Sequence, residues 1–205
     1  MVLSRKDENM KSRRFLLSLA FLSMSLVAVA QTHSQEPVQP KTDAEKSFDL
    51  MKTLAGSWEG PVTLEPPMPK MDNGKPISVL FRVTSRGNAL VHEMQESGAP
   101  LDPSKYDHPV TMLYVENDRL VLTHYCDAGN RPRMEGKISP DGKKVEFEFV
   151  DLSGSNKHGH MYHAVFTIVD ANHHIEDWTY LMPGDKPMHA HAVLERKKQE
   201  QASAQ

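Results

Sequence analysis

The sequence predicts an all-β fold: an antiparallel up-and-down β-barrel of about ten strands with a short N-terminal helix. Three observations predict it. Apolar residues recur at every second position in short runs from Ser57 onward, and clusters of turn-forming residues separate those runs. The connections are mostly too short to reach a parallel neighbour, so consecutive strands must pair as hairpins.

The elements follow in order. Asp43 to Leu54 (DAEKSFDLMKTL) puts Phe48, Leu50, Met51 and Leu54 on one helical face, with acidic residues early and Ala55-Gly56 as its stop. Strands are expected to begin near residues 57, 76, 89, 109, 119, 132, 144, 158, 174 and 188. The alternation is clearest in Val79-Phe81-Val83, Leu90-His92-Met94, Val110-Met112-Tyr114, Leu120-Leu122-His124, Val145-Phe147-Phe149 and Tyr162-Ala164-Phe166-Ile168. Turns fall at Ser85 to Asn88, Glu116 to Asp118, Ser139 to Gly142, Asp170 to Asn172 and Pro183 to Asp185. Hairpins in this number leave no exposed edge once they close into a barrel. A β-sandwich needs long crossovers between its sheets, and only Glu96 to His108 forms a long polar gap.

The ends of the chain read differently. Met10-Lys-Ser-Arg-Arg14 is basic, Phe15 to Ala30 is an uncharged apolar run, and Ala28-Val29-Ala30 supplies the small residues of a cleavage site. Residues 1–30 are therefore expected to be a signal peptide, and the start Met1 to Asn9 suits a true initiation at Met10. Sixteen residues are short for a membrane anchor, so no stable membrane insertion is expected after cleavage. Ser12-Arg13-Arg14-Phe15-Leu16-Leu17 also approximates a twin-arginine signal. The expected destination is the periplasm or the medium. Residues 31–42 form a polar leader with two prolines, residues 43–197 the barrel domain, and residues 198–205 a polar tail.

Of the 205 residues, 24 are basic and 27 acidic, a net charge of −3. Cleavage after Ala30 deepens that to −6, which argues against nucleic acid as a partner. Cys126 is the only cysteine, so packing rather than a disulfide must hold the fold in an oxidising compartment.

Leu54-Ala-Gly-Ser-Trp-Glu-Gly60, a Gly-x-Trp after a short helix, resembles the opening of calycin barrels such as lipocalins, fatty-acid-binding proteins and nitrobindins. Gly56 would supply the turn and Trp58 an apolar plug. With His124 to Met134, His174 to Trp178, and Met188 to Arg196, the chain looks like a member of an uncharacterised lipocalin-like family of exported bacterial proteins, distantly similar to nitrobindins. The resemblance covers most of residues 45–197. It implies a barrel of about ten strands with an internal cavity. Nitrobindins hold a haem through a histidine near the last strand, and their opening motif carries a further Gly where Val62 stands here.

Histidine is the conspicuous residue type: ten of eleven fall in or beside the expected barrel. His158 and His160 with His163, His173 with His174, and His189 with His191 form three groups. Residues two apart on a strand share a face, so His189 and His191 are candidate ligands for Zn, Cu or haem, provided that their face is the inner one. No cofactor is required by the sequence. Strand alternation points His92, Met94, His124, Phe147, Phe149, Trp178 and Tyr180 inward, an amphipathic lining for a small hydrophobic guest. Trp58 at one barrel end and Met134 join that list. Arg131 and Arg133, flanking a proline near a barrel mouth, suit a carboxylate or other anion. No Gly-x-Ser-x-Gly, phosphate-cradling loop or dinucleotide fingerprint occurs, so no catalytic residue is assigned. The expected function is an exported binding protein with a hydrophobic or amphipathic ligand in its barrel; the alternative is a haem or transition-metal carrier using cavity histidines.

Overall fold

A computed structural model describes residues 40–68 and 74–198. The expected signal peptide, residues 31–39 of the leader and residues 199–205 of the tail lie outside the described residues.

The helix is α1 (Asp43–Lys52), and Thr42 starts it with a reciprocal cap. The Glu45 amide donates to Thr42 Oγ1 and the Thr42 amide donates to Glu45 Oε2, so two otherwise orphaned donors are satisfied. Its buried face is Ala44, Ser47, Phe48 and Met51, and Leu54 continues that face just past the last turn.

The strands are β1 (Gly56–Gly60), β2 (Val62–Glu65), β3 (Ile77–Thr84), β4 (Ala89–Glu96), β5 (Val110–Glu116), β6 (Arg119–Tyr125), β7 (Arg131–Ile138), β8 (Lys144–Ser153), β9 (His160–Ile168), β10 (His173–Met182) and β11 (Lys186–Arg196). From β3 to β11 each strand pairs antiparallel with the next. β1 closes the circuit by pairing with β3 on one side and with β11 on the other, at Trp58 opposite Arg196. β2 extends β1 past Pro61 and pairs with β11 alone, so the two count as one bent strand in a closed ten-strand barrel. The all-β, antiparallel, up-and-down expectation holds. β2 is the element that was not expected.

Two details explain why closure needs these residues. A Cβ on Gly60 would lie 1.9 Å from the Val193 carbonyl oxygen, so only glycine lets β11 pass. Gly56 sits at φ +132°, and a Cβ there would meet the Arg196 guanidinium at 2.6 Å. That guanidinium lies over the Trp58 ring at 4.0 Å and donates to the carbonyls of Thr53, Ala55 and Ala171. Trp58 Nε1 in turn donates to the Leu54 carbonyl. The Gly-x-Trp opening is thus a clasp between the helix exit and the last strand. The β5–β6 turn needs two left-handed residues, and Asn117 and Asp118 supply them at φ +48° and +62°.

The barrel has a closed end and an open end. α1 packs against β3, β5, β6 and β7. Beneath it, Trp58, Phe81, Leu90, Leu113, Leu120, Val145, Phe147, Phe166 and Leu194 fill the interior with almost no exposure. Towards the opposite end the inward side chains change character, which sets up the site.

Candidate functional site

A polar layer crosses the barrel at the limit of the packed half. It is built by strand parity. On β10, His174, Glu176 and Trp178 share the inner face; on β4, β5 and β6, His92, Thr111 and His124 are lateral neighbours, since His92 pairs with Thr111 and Thr111 with His124. All six are buried.

Glu176 is the hub. His174 Nε2 lies 2.9 Å from its Oε1, His92 Nε2 lies 3.1 Å from its Oε2, and Trp178 Nε1 donates to that same Oε2 at 3.0 Å. Burial alone would raise this carboxyl's pKa. The charge of His92 and the hydrogen bonds from both imidazoles outweigh it and hold the group well below the usual carboxylate range. Nδ1 of His92 and Nδ1 of His174 are buried without a partner among the described residues. Each ring is held by packing instead: His174 lies edge-on to Trp58 at 4.2 Å, and His92 lies against Phe81 at 4.7 Å and Trp178 at 5.6 Å.

His124 is the other polar member. Its Nδ1 is 2.9 Å from Thr111 Oγ1, and its ring lies 5.8 Å from that of Trp178. Burial, with His92 nearby, lowers its pKa to about 3, so the imidazole is neutral near pH 7. Its Nε2 has no hydrogen-bond partner among the described residues, yet it is not among their fully enclosed unpartnered atoms.

Beyond this layer the inward-facing residues are only half-buried: Met94 on β4, Phe149 on β8, Tyr180 on β10, and Met188 and Ala190 on β11. Tyr162 stacks on Phe149 with centroids 5.5 Å apart and is 40 % exposed. Inner-face side chains that reach solvent define a cup above the polar layer, with Trp178 and His124 in its floor. Tyr180 donates from its hydroxyl to the His158 carbonyl at the rim. Burial, with Cys126, Asp127 and Asp107 close by, pushes its phenol up to about 12.

Two clefts of about 490 Å³ open on the surface near this end. One runs between residues 103–110 and 125–127 and contains Asp107, Cys126 and Asp127, whose ligand atoms lie within 4.8 Å of one another. Burial there raises the pKa of the Asp107 carboxyl and of the Cys126 thiol, so the thiol stays protonated. The other cleft is lined by β2, β10 and β11 and includes His189 and His191.

The sequence-predicted residues divide accordingly. His92, His124 and Trp178 meet in the polar layer; Met94, Phe149 and Tyr180 line the cup. Met134 and Phe147 belong to the packed interior, and Trp58 to the closed end, all fully buried. Arg131 and Arg133 stand on the outer face of β7, alternating with the inward Pro132 and Met134. Arg133 pairs with Asp151 at 2.7 Å and Glu116 at 3.4 Å, and Arg131 donates to Ser153. On β11 the inner face is Met188, Ala190, Ala192 and Leu194, so His189 and His191 point outward. They bond Thr179 at 3.0 Å and Asp177 at 2.6 Å. The haem implied by the nitrobindin resemblance therefore finds no inward histidine on the last strand. Sequence reasoning missed Glu176, His174 and Thr111 as members of the site.

No family model and no curated protein matches this chain. Solved structures do. The crystal structure of Rv2717c from M. tuberculosis superposes with a TM-score of 0.52 at 17% identity, over 74% of this chain and 98% of that one. A protein of unknown function from the DUF3598 family of Nostoc punctiforme gives a TM-score of 0.38 at 10% identity, over 80% of this chain and 53% of that one. The first likeness is one of fold. Fold and interior together define the class: a closed antiparallel barrel of ten strands, packed at its helix end and less tightly buried at the other. Among the described residues, no helix is long and apolar enough to cross a membrane.

Proposed function

We propose that this is an exported binding protein, acting in the periplasm or the medium, that holds a small hydrophobic or amphipathic molecule in the open half of its barrel. The observation that carries the reading is the change in burial along the inner face. Side chains under the helix are sealed, whereas Met94, Phe149 and Tyr180 face inward and are only half-buried. Accessible apolar and aromatic groups in a concave site, above a floor with a few polar atoms, are what small-molecule sites are made of. Export is supported by the basic start, the apolar run Phe15 to Ala30 and its small-residue exit.

An apolar fluorescent dye tests the cup. It should brighten on binding, and Phe149→Glu should weaken that binding at least tenfold while leaving thermal stability nearly unchanged, because position 149 is half-buried and a carboxylate there stays hydrated. Equal dye binding by the Phe149→Glu variant would place the dye elsewhere and remove this reading.

A further inference from the structure

The chemistry of the cup floor narrows the ligand class further. Most polar atoms of the layer are already engaged: Trp178 Nε1, His92 Nε2 and His174 Nε2 all serve Glu176, and Thr111 Oγ1 serves His124. The two unpartnered imidazole atoms of His92 and His174 are sealed in the packed half. What the layer still offers to a guest is one atom, Nε2 of His124.

The charges act in the same direction. Among the described residues no lysine or arginine is buried, and the one buried carboxyl is Glu176. Asp107 and Asp127 flank the nearby cleft, and Arg133 is tied to Asp151 and Glu116 on the outer face. A carboxylate head entering the cup would meet no buried lysine or arginine, the charge of His92 is already taken up by Glu176, and Asp107 and Asp127 stand at the nearby cleft. A head of positive charge would have to share Glu176 with three donors that already surround it. The tautomer of His124 depends on whether the Thr111 hydroxyl donates to Nδ1 or accepts from it. A hydroxyl on the guest suits both cases, since it can donate to a bare Nε2 or accept from a protonated one.

We propose that the barrel's ligand is an uncharged amphiphile, an aliphatic alcohol, whose hydroxyl hydrogen-bonds to Nε2 of His124 while its chain lies along the cup wall. The neutrality that burial imposes on His124 fits this role, because a cationic imidazole would select an anion instead. The inference rests on the binding reading above and goes beyond it by choosing the head group.

The test is displacement of the apolar dye by dodecanol, dodecanoate and dodecane at pH 7. Dodecanol is expected to bind at least tenfold more tightly than dodecanoate. His124→Leu should weaken dodecanol about tenfold, the worth of one hydrogen bond, and leave dodecane within about twofold. Unchanged dodecane binding also reports that the variant keeps its fold. His124→Gln, which retains a hydrogen-bonding group, should keep most of the preference for the alcohol. Dodecanoate binding as tightly as dodecanol would overturn the proposal, and so would a His124→Leu variant with undiminished dodecanol affinity. In either case the cup would stand as a binding site with a different head-group preference. If none of the three displaces the dye, both the proposal and the binding reading fall.

Discussion

Replacing Glu176 by alanine should destabilise the protein by about 3–5 kcal/mol, the range found when one partner of a buried charged pair is removed. The carboxylate is fully buried and accepts from three side chains at 2.9 to 3.1 Å. Without it, His92, His174 and Trp178 keep their donors in an apolar interior with nowhere to direct them, and each unsatisfied donor costs about 1–3 kcal/mol before relaxation. Tautomer exchange gives little relief. Moving the proton to Nδ1 of either histidine puts it on an atom that is buried and unpartnered. Glu176→Gln preserves volume and one acceptor, so it should cost less. Urea unfolding of the two variants against the parent measures both. A loss under about 1 kcal/mol for the alanine variant would mean that the cluster is not a buried hub.

Acid should weaken the fold at a pH where most carboxylates are still ionised. His124 has a folded pKa of about 3 against 6.5 for the free side chain. The unfolded chain therefore takes up a proton that the folded one refuses. The stability that follows is fully present above pH 6.5 and is lost progressively as pH falls towards about 3. The slope from this one group approaches about 1.4 kcal/mol per pH unit within that window. As pH falls below 4.5, the free value for a glutamate, Glu176 adds a loss of the same sign, because its folded pKa is depressed as well. Unfolding free energies measured at several values between pH 7 and 4.5 should fall steadily. The slope should flatten in His124→Leu, which removes the titrating group. Parallel slopes for parent and variant would show that His124 is not held neutral by the fold.

The fold was largely legible because its signal is local. Alternation and turn residues fix where strands start, and all ten expected starts lie within two residues of a strand start in the structure, His158 against His160 and Met188 against Lys186 being the widest. β2 escaped because four residues bounded by Pro61 and Pro66 carry too little alternation to distinguish a strand from a loop. The interior was legible where one face was plainly apolar, as for His92 beside Leu90 or His124 beside Leu122. On β11 one face is small and apolar (Met188, Ala190, Ala192, Leu194) and the other mixed (His189, His191, Val193, Glu195), and that contrast alone left open which of them turned into the barrel. What turns Ala192 and Leu194 inward is their register opposite Glu176 and His174, a long-range fact. Glu176 and His174 were readable in principle. They share parity with Trp178 and Tyr180, which alternation already points inward, but a carboxylate at a core position reads as solvent-facing unless its donors are known. Those donors come from β4 and from its own strand, more than eighty residues apart in the case of His92.

Native mass spectrometry of protein purified from the exported fraction, set against its denatured mass, tests the central claim most directly. The account predicts a native mass exceeding the chain from Gln31 by a small organic molecule that is released on denaturation, with no haem or metal increment. A native mass that carries haem, or one that stays at the bare chain after exposure to a lipid extract, would contradict it.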